Sequence, residues 1–227
     1  MAVKLLGVWT SPFVMRPRIA LNLKSVDYEF LEETHEKSNP VYKKSELLLK
    51  SNPVYKKIPV LLHDDKPICE SMIIVQYIDE VWTEGPSLLP TDPYDRAIAR
   101  FWAVYIDDKW FPSLVGFLNA QTEEAKAEAI GQVLDGMRLL EEAFEKCSKG
   151  KEFFNGETIG YLDIALGGHL GWLRVVEIVG GLSLLDEEKT PKLVVWANKL
   201  CSNEVVKEVM PEAEKLLEFA KWAQPAH

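Results

Sequence analysis

Residues 83–93 read TEGPSLLPTDP, with three prolines and one glycine. Such a stretch sustains neither a helix nor a paired strand, and the chain changes character across it. Before it, strand-like runs alternate with helical ones. VKLLGVW (Val3–Trp9) reads as a strand, and SPFVMRPRIALNLK (Ser11–Lys24) opens as a helix, with Ser followed by Pro at the first helical position. VDYEFLE (Val26–Glu32) alternates like a strand, and IPVLLH with KPICE reads as a hairpin across Asp64-Asp65. SMIIVQYIDEVW (Ser71–Trp82) is an amphipathic helix with Ser71 as its expected cap. Between Glu33 and Lys57 only a short turn at SELLL is predicted. After the linker every segment is helical. TEEAKAEAIGQVLDGMRLLEEAFEKC is long and solvated, whereas YLDIALGGHLGWLRVVEIV is apolar almost all round and belongs at the centre of a bundle. The expected architecture is a small α/β domain over 1–82, a linker over 83–93 and an all-α helical bundle over 94–227.

A chain of 227 residues with 47% hydrophobic and 27% charged residues has the composition of a soluble globular protein. Its net charge of −9 argues against nucleic acid or an anionic membrane as the main partner. No apolar run is long enough to cross a bilayer, and the opening MAVKLLGVW is too short for a signal-peptide core. Cys69, Cys147 and Cys201 are an odd number, lie far apart and form no C-x-x-C, and the four His are scattered. Neither a disulfide framework nor a Cys/His metal site is expected, and a reducing cytoplasm is the simplest location.

Two stretches carry candidate chemistry. In WTSPF (Trp9–Phe13) a hydroxyl stands where a strand ends and a helix begins. Free backbone N–H groups and the helix dipole favour an anion there. Ser11 reads either as a simple helix cap or as a hydroxyl that stabilises a bound thiolate or oxyanion. The second stretch is KKIPV followed by PICES. A proline opening a strand often carries a cis bond and leaves a nearby edge open, so the backbone of Ile58 could pair with an extended peptide. Glu70-Ser71 places a carboxylate and a hydroxyl at a helix N-terminus. That pair suits a zwitterion, with Glu70 meeting an ammonium and Ser71 a carboxylate. It reads equally as an ordinary cap beside an exposed Glu.

Taken together, WTSPFVMR, NPVYKKIPVLLHDDKPICESMIIVQYIDEVW, LLPTDPYDRAIARFWAVYID and TIGYLDIAL resemble the plant tau class of glutathione transferases, in order and over nearly the whole chain. The resemblance implies a thioredoxin-like N-terminal domain, a helical C-terminal domain and a cytoplasmic homodimer, with Glu80 of one subunit near Arg96 of the other. It implies glutathione as co-substrate, no metal, and hydrophobic electrophilic small molecules as acceptors. By position Ser11 is the catalytic hydroxyl. Glu70 and Ser71 hold the γ-glutamyl end, Ile58 the cysteinyl backbone, and Lys57 with Lys44 the glycyl carboxylate. The acceptor pocket draws on Phe13, Arg16, Phe111, Val115, Trp172 and Phe219. Plain bundle core is the alternative for Trp172 and Phe219, and Asp163 fits a helix cap, hence folding. Peroxidase activity toward organic hydroperoxides by the same thiolate, and non-catalytic carriage of apolar molecules, are the competing functions.

The octapeptide KSNPVYKK occurs at 37–44 and again at 50–57, and only the second copy runs into Ile58-Pro59. The first reads as an insertion that lengthens a surface loop, which costs little closure entropy. Pro17 and Pro112 fall where the family carries helix, and each is expected to disturb it.

Overall fold

The computed structural model describes residues 2–33 and 44–223, and the backbone of 35–36 and 39–42. The first domain begins with β1 (Val3–Gly7), α1 (Pro12–Leu23) and β2 (Glu29–Glu32), followed by a short hairpin of β3 (His35–Glu36) and β4 (Asn39–Tyr42) and by α2 (Glu46–Ser51). It closes with β5 (Val60–His63), β6 (Lys66–Cys69) and α3 (Ser71–Val81). The main sheet has the order β2-β1-β5-β6. β1 and β2 are parallel, with Leu5 opposite Phe30, while β1, β5 and β6 are antiparallel, with Leu5 opposite Leu61 and Leu61 opposite Ile68. Period-two alternation assigns the two faces. Leu5 and Leu61 join the main core with Val14, Ile19, Ile74 and Ile78 of α1 and α3, whereas Leu6, Val60 and Leu62 pack with Leu48 of α2 on the other face. This is the expected thioredoxin-like arrangement. The Asp64-Asp65 turn has φ of 48° and 63°, the left-handed pair that a two-residue hairpin requires.

The helical domain comprises α4 (Pro93–Tyr105), a π-turn (Ile106–Trp110), α5 (Phe111–Asn119), α6 (Glu123–Ser148), α7 (Tyr161–Gly167), α8 (Leu170–Gly180), α9 (Pro191–Ser202), α10 (Glu204–Lys207) and α11 (Ala213–Ala223). The long solvated segment forms α6, capped by Thr122, whose hydroxyl accepts from the Ala125 N–H at 3.2 Å. The predicted central helix is instead two helices, broken at Gly168-His169. A Cβ on Gly168 would stand 2.7 Å from the Pro12 carbonyl oxygen, so the bare glycine lets the α7–α8 corner close onto α1. Pro112 has the effect its chemistry dictates: lacking an N–H, it cannot continue the regular ladder, and just before it the Phe111 N–H reaches back five residues to the Ile106 carbonyl. α1 runs on through Pro17. The linker is tied to the first domain by Asp79, which accepts from the Leu88 and Leu89 N–H groups at 2.9 and 3.0 Å and pairs with the buried Lys24 at 2.8 Å.

The two copies of KSNPVYKK adopt different structures. In the first, Asn39–Tyr42 is strand β4, which lies alongside α11. In the second, Lys50 and Ser51 end α2, and Asn52 organises a turn. The Asn52 side chain accepts from the Tyr55 N–H at 3.1 Å and donates to the Lys57 carbonyl at 2.9 Å. The side chains of the first copy up to Lys43, and with them the expected surface position of that loop, lie outside the described residues.

Candidate active site at the domain boundary

Ser11 occupies the N-cap position of α1 in extended conformation, φ −83° and ψ 121°, with Pro12 following. Its backbone does the local work: the Ser11 N–H donates to the Val8 carbonyl at 3.1 Å, and the Ser11 carbonyl accepts from the Val14 and Met15 N–H groups. Its side chain makes no capping hydrogen bond. A half-buried hydroxyl thus stands at the positive end of a helix without supplying a side-chain cap.

α3 starts differently from expectation. Glu70, not Ser71, is the N-cap, and it holds φ at +71°, a conformation that costs a non-glycine residue on the order of 1 kcal/mol or more. Glu70 is exposed and Ser71 is buried. Ser71 Oγ accepts a hydrogen bond from Arg16 Nη1 at 3.0 Å. Arginine can only donate, so Ser71 Oγ is the acceptor of this bond and its own O–H proton is not used by Arg16. The Ile58–Pro59 bond is cis, as the sequence suggested, and β5 begins only at Val60, so Ile58 lies outside the ladder. Lys44 and Lys57 are both exposed.

Arg16 corrects the expectation most sharply. It is fully buried and lines neither of the two cavities described below. Its guanidinium donates to Asp107 through both Nη1, at 2.8 Å, and Nη2, at 2.5 Å, and to the Ala165 carbonyl at 2.9 and 3.2 Å. His169 Nε2 lies 2.8 Å from Nη2, so that nitrogen is the acceptor and the neutral ring carries its proton on Nδ1. α1, α3, the π-turn, α7 and the α7–α8 corner therefore meet at one cation. Burial alone would push the Asp107 carboxyl up, but the two hydrogen bonds from Arg16, together with the guanidinium charge, hold it at about 2. Burial drives His169 down to about 4. Neither Asp107 nor His169 was singled out by the sequence. The one available signal was a histidine inside an otherwise apolar run, GGHLGW.

Of the other pocket candidates, Phe13 and Phe111 meet edge to face at 5.4 Å, and Phe111 stacks on the His169 ring at 4.3 Å. Val115 is exposed on α5. Trp172 is more than bundle core: its indole N–H donates to the Thr10 carbonyl at 2.8 Å across the domain boundary. Phe219 lies edge to face with Trp172 and with Trp9, at 6.5 and 6.2 Å. Trp9, Lys215, Glu218, Phe219 and Trp222 line an open recess of about 460 Å³ beside this turn. A larger cavity, about 920 Å³, lies elsewhere, between the linker, α4 and the end of α6, and none of the predicted site residues lines it. Asp163 behaves as expected of a cap. Fully buried, it accepts from the N–H groups of Gly160, Phe154 and Asn155 and from the Trp196 indole.

Residues 1–80 match the glutathione S-transferase N-terminal domain and residues 94–204 the glutathione S-transferase C-terminal domain. Glutathione S-transferase U17 of Arabidopsis thaliana is 64% identical, over 96% of this chain and 94% of that protein. The crystal structure of a tau class glutathione S-transferase from mango, Mangifera indica, superposes with a TM-score of 0.93 at 63% identity, over 98% of this chain and 99% of that one. A rice enzyme of 36% identity, solved in complex with glutathione, gives 0.86 over 97% of each chain. With the same two-domain fold, the same segment order and this degree of identity, the chain belongs to the tau class of the glutathione S-transferase family.

Proposed function

We propose that this protein conjugates the glutathione thiolate to hydrophobic electrophiles, as in xenobiotic detoxification, and that Ser11 stabilises the thiolate. The observation that carries the reading is the Ser11 hydroxyl at the start of α1, unused by the helix it caps. A free thiol is mostly protonated at neutral pH, and the thiolate is the nucleophile. Lowering its pKa by roughly two units needs about 2.7 kcal/mol of preferential thiolate stabilisation. One O–H···S⁻ hydrogen bond at a helix N-terminus can supply much of that. Residues 1–82 act as the glutathione domain, 83–93 as the linker and 94–227 as the domain completing the acceptor pocket, with Phe13, Phe111 and Phe219 among its walls. Exposed Ile73 and Val81 on α3 and Phe101 and Val104 on α4 support a homodimer built through these helices.

A steady-state assay of a chloronitrobenzene and of an organic hydroperoxide, each with glutathione, tests the reading. Turnover of the first establishes the transferase, and turnover of the second adds peroxidase activity. Silence with both overturns the catalytic reading and leaves the carrier, which the 920 Å³ cavity remote from Ser11 would then serve.

In the glutathione site, Lys57 follows the turn organised by Asn52 and directly precedes Ile58. Lys57→Ala is expected to weaken glutathione binding by about 1–3 kcal/mol, the scale of a hydrogen bond to a charged group, and Lys44→Ala by less. Calorimetric titration decides it, and a silent Lys57→Ala would remove Lys57 from the site.

A further inference from the structure

The peptide group between Thr10 and Ser11 is held at both poles. Its N–H, on Ser11, donates to the Val8 carbonyl at 3.1 Å within the first domain. Its C=O, on Thr10, accepts from the Trp172 indole N–H at 2.8 Å, from α8 of the second domain. Thr10 is 6% exposed, so its carbonyl has little water to turn to when the indole is removed. A peptide group is rigid and planar. Fixing both its ends fixes the plane, and with it the orientation from which the Ser11 side chain departs. The rest of the surround is aromatic and also comes partly from the second domain, since Phe219 of α11 lies against both Trp172 and Trp9.

We infer that Trp172 is a positioning residue for Ser11: its indole N–H, acting through the Thr10 carbonyl, aims the Ser11 hydroxyl at the glutathione sulfur. This gives Trp172 a role apart from any contact with acceptor, and it makes the placement of the catalytic hydroxyl depend on how the helical domain sits against the first. The inference rests on the proposed role of Ser11. Hydrogen-bond strength falls steeply with angle, so a freed peptide plane weakens thiolate stabilisation without removing it. Glutathione itself is held elsewhere, at Ile58, Glu70, Ser71 and Lys57 in the proposed site, so its affinity should change little.

The test replaces Trp172 in two ways within the full-length protein. Trp172→Phe keeps an aromatic ring and loses the donor. Trp172→benzothienylalanine keeps the size and shape of the indole with sulfur in place of the N–H. Ser11→Ala is measured alongside. For each, the pH dependence of kcat/KM with a chloronitrobenzene gives the kinetic pKa of the bound thiol, and melting temperature monitors the fold. The expected result is a pKa raised by roughly one unit in both Trp172 variants, with kcat/KM at neutral pH lowered about threefold, as the thiolate fraction falls, and KM for glutathione within about twofold of the parent. Ser11→Ala should raise the pKa further. A benzothienylalanine variant with the parental pH profile, beside a shifted Ser11→Ala, overturns the positioning role while leaving Ser11 in place. An unshifted Ser11→Ala overturns the role of Ser11, and the Trp172 inference falls with it.

Discussion

Arg16→Ala should lower the free energy of unfolding by about 3–5 kcal/mol, the usual cost of removing one member of a buried ion pair. Removing the guanidinium strands Asp107, takes hydrogen bonds from the Ala165 carbonyl and from Ser71 Oγ, and leaves His169 without the donor at its Nε2. The loss falls on the joint between the domains, because Arg16 is in α1 and Asp107, Ala165 and His169 are in the second domain. Arg16→Lys should recover little of it, since an ammonium cannot reproduce the flat fork that grips both oxygens of Asp107. Urea denaturation of the two variants checks this, and a loss below about 1 kcal/mol for Arg16→Ala would contradict the joint described above.

Asp163→Ala is expected to destabilise by a similar amount or to prevent folding. Its carboxylate serves four N–H donors, and each buried donor left without a partner costs about 1–3 kcal/mol. Asp163→Asn keeps the shape but sets an NH2 among N–H donors, and it adds a test in pH. Burial raises the Asp163 carboxyl to about 6, against the opposing pull of those four donors. Between the ordinary carboxylate range and about 6 the native state therefore holds the extra proton, so this group's contribution to stability grows as pH falls through that interval. His169 works in the opposite sense. Burial depresses it to about 4, so its contribution is complete above the ordinary imidazole range and is lost as pH falls through about 4. Each is worth about 3 kcal/mol, and in the parent they offset one another. In Asp163→Asn only the histidine remains, and stability should drop as pH falls from about 6.5 to about 4. Equal slopes for parent and variant would contradict this assignment.

What the sequence could reveal follows from the range of the interactions. The sheet was legible because the apolar runs at β1 and β5, the alternation at β2 and the Asp64-Asp65 turn are local features. The helix start at Ser11-Pro12 and the cis bond before Pro59 were also written locally or nearly so. The role of Arg16 was not, because its partners Asp107 and Ala165 lie 91 and 149 residues away and nothing in the neighbourhood of Arg16 marks it as buried. Trp172 was placed near the pocket, but its hydrogen bond reaches 162 residues back to a carbonyl, a group that every residue carries. The break at Gly168 depends on a close approach to Pro12, again invisible until α1 and the α7–α8 corner are packed. The repeated octapeptide states the limit most plainly. Eight identical residues contribute strand β4 in one copy and a helix end with an Asn-organised turn in the other, so tertiary context decides between them.

The central claim is that Ser11 holds the glutathione sulfur as a thiolate. It is tested most directly by titrating the thiol of bound glutathione through its thiolate absorbance, in the parent and in Ser11→Ala at saturating glutathione. The expected pKa is about two units below that of free glutathione in the parent, returning nearly to the free value in Ser11→Ala while glutathione still binds. An equally depressed pKa in both proteins would show that the thiolate is stabilised by something other than the Ser11 hydroxyl.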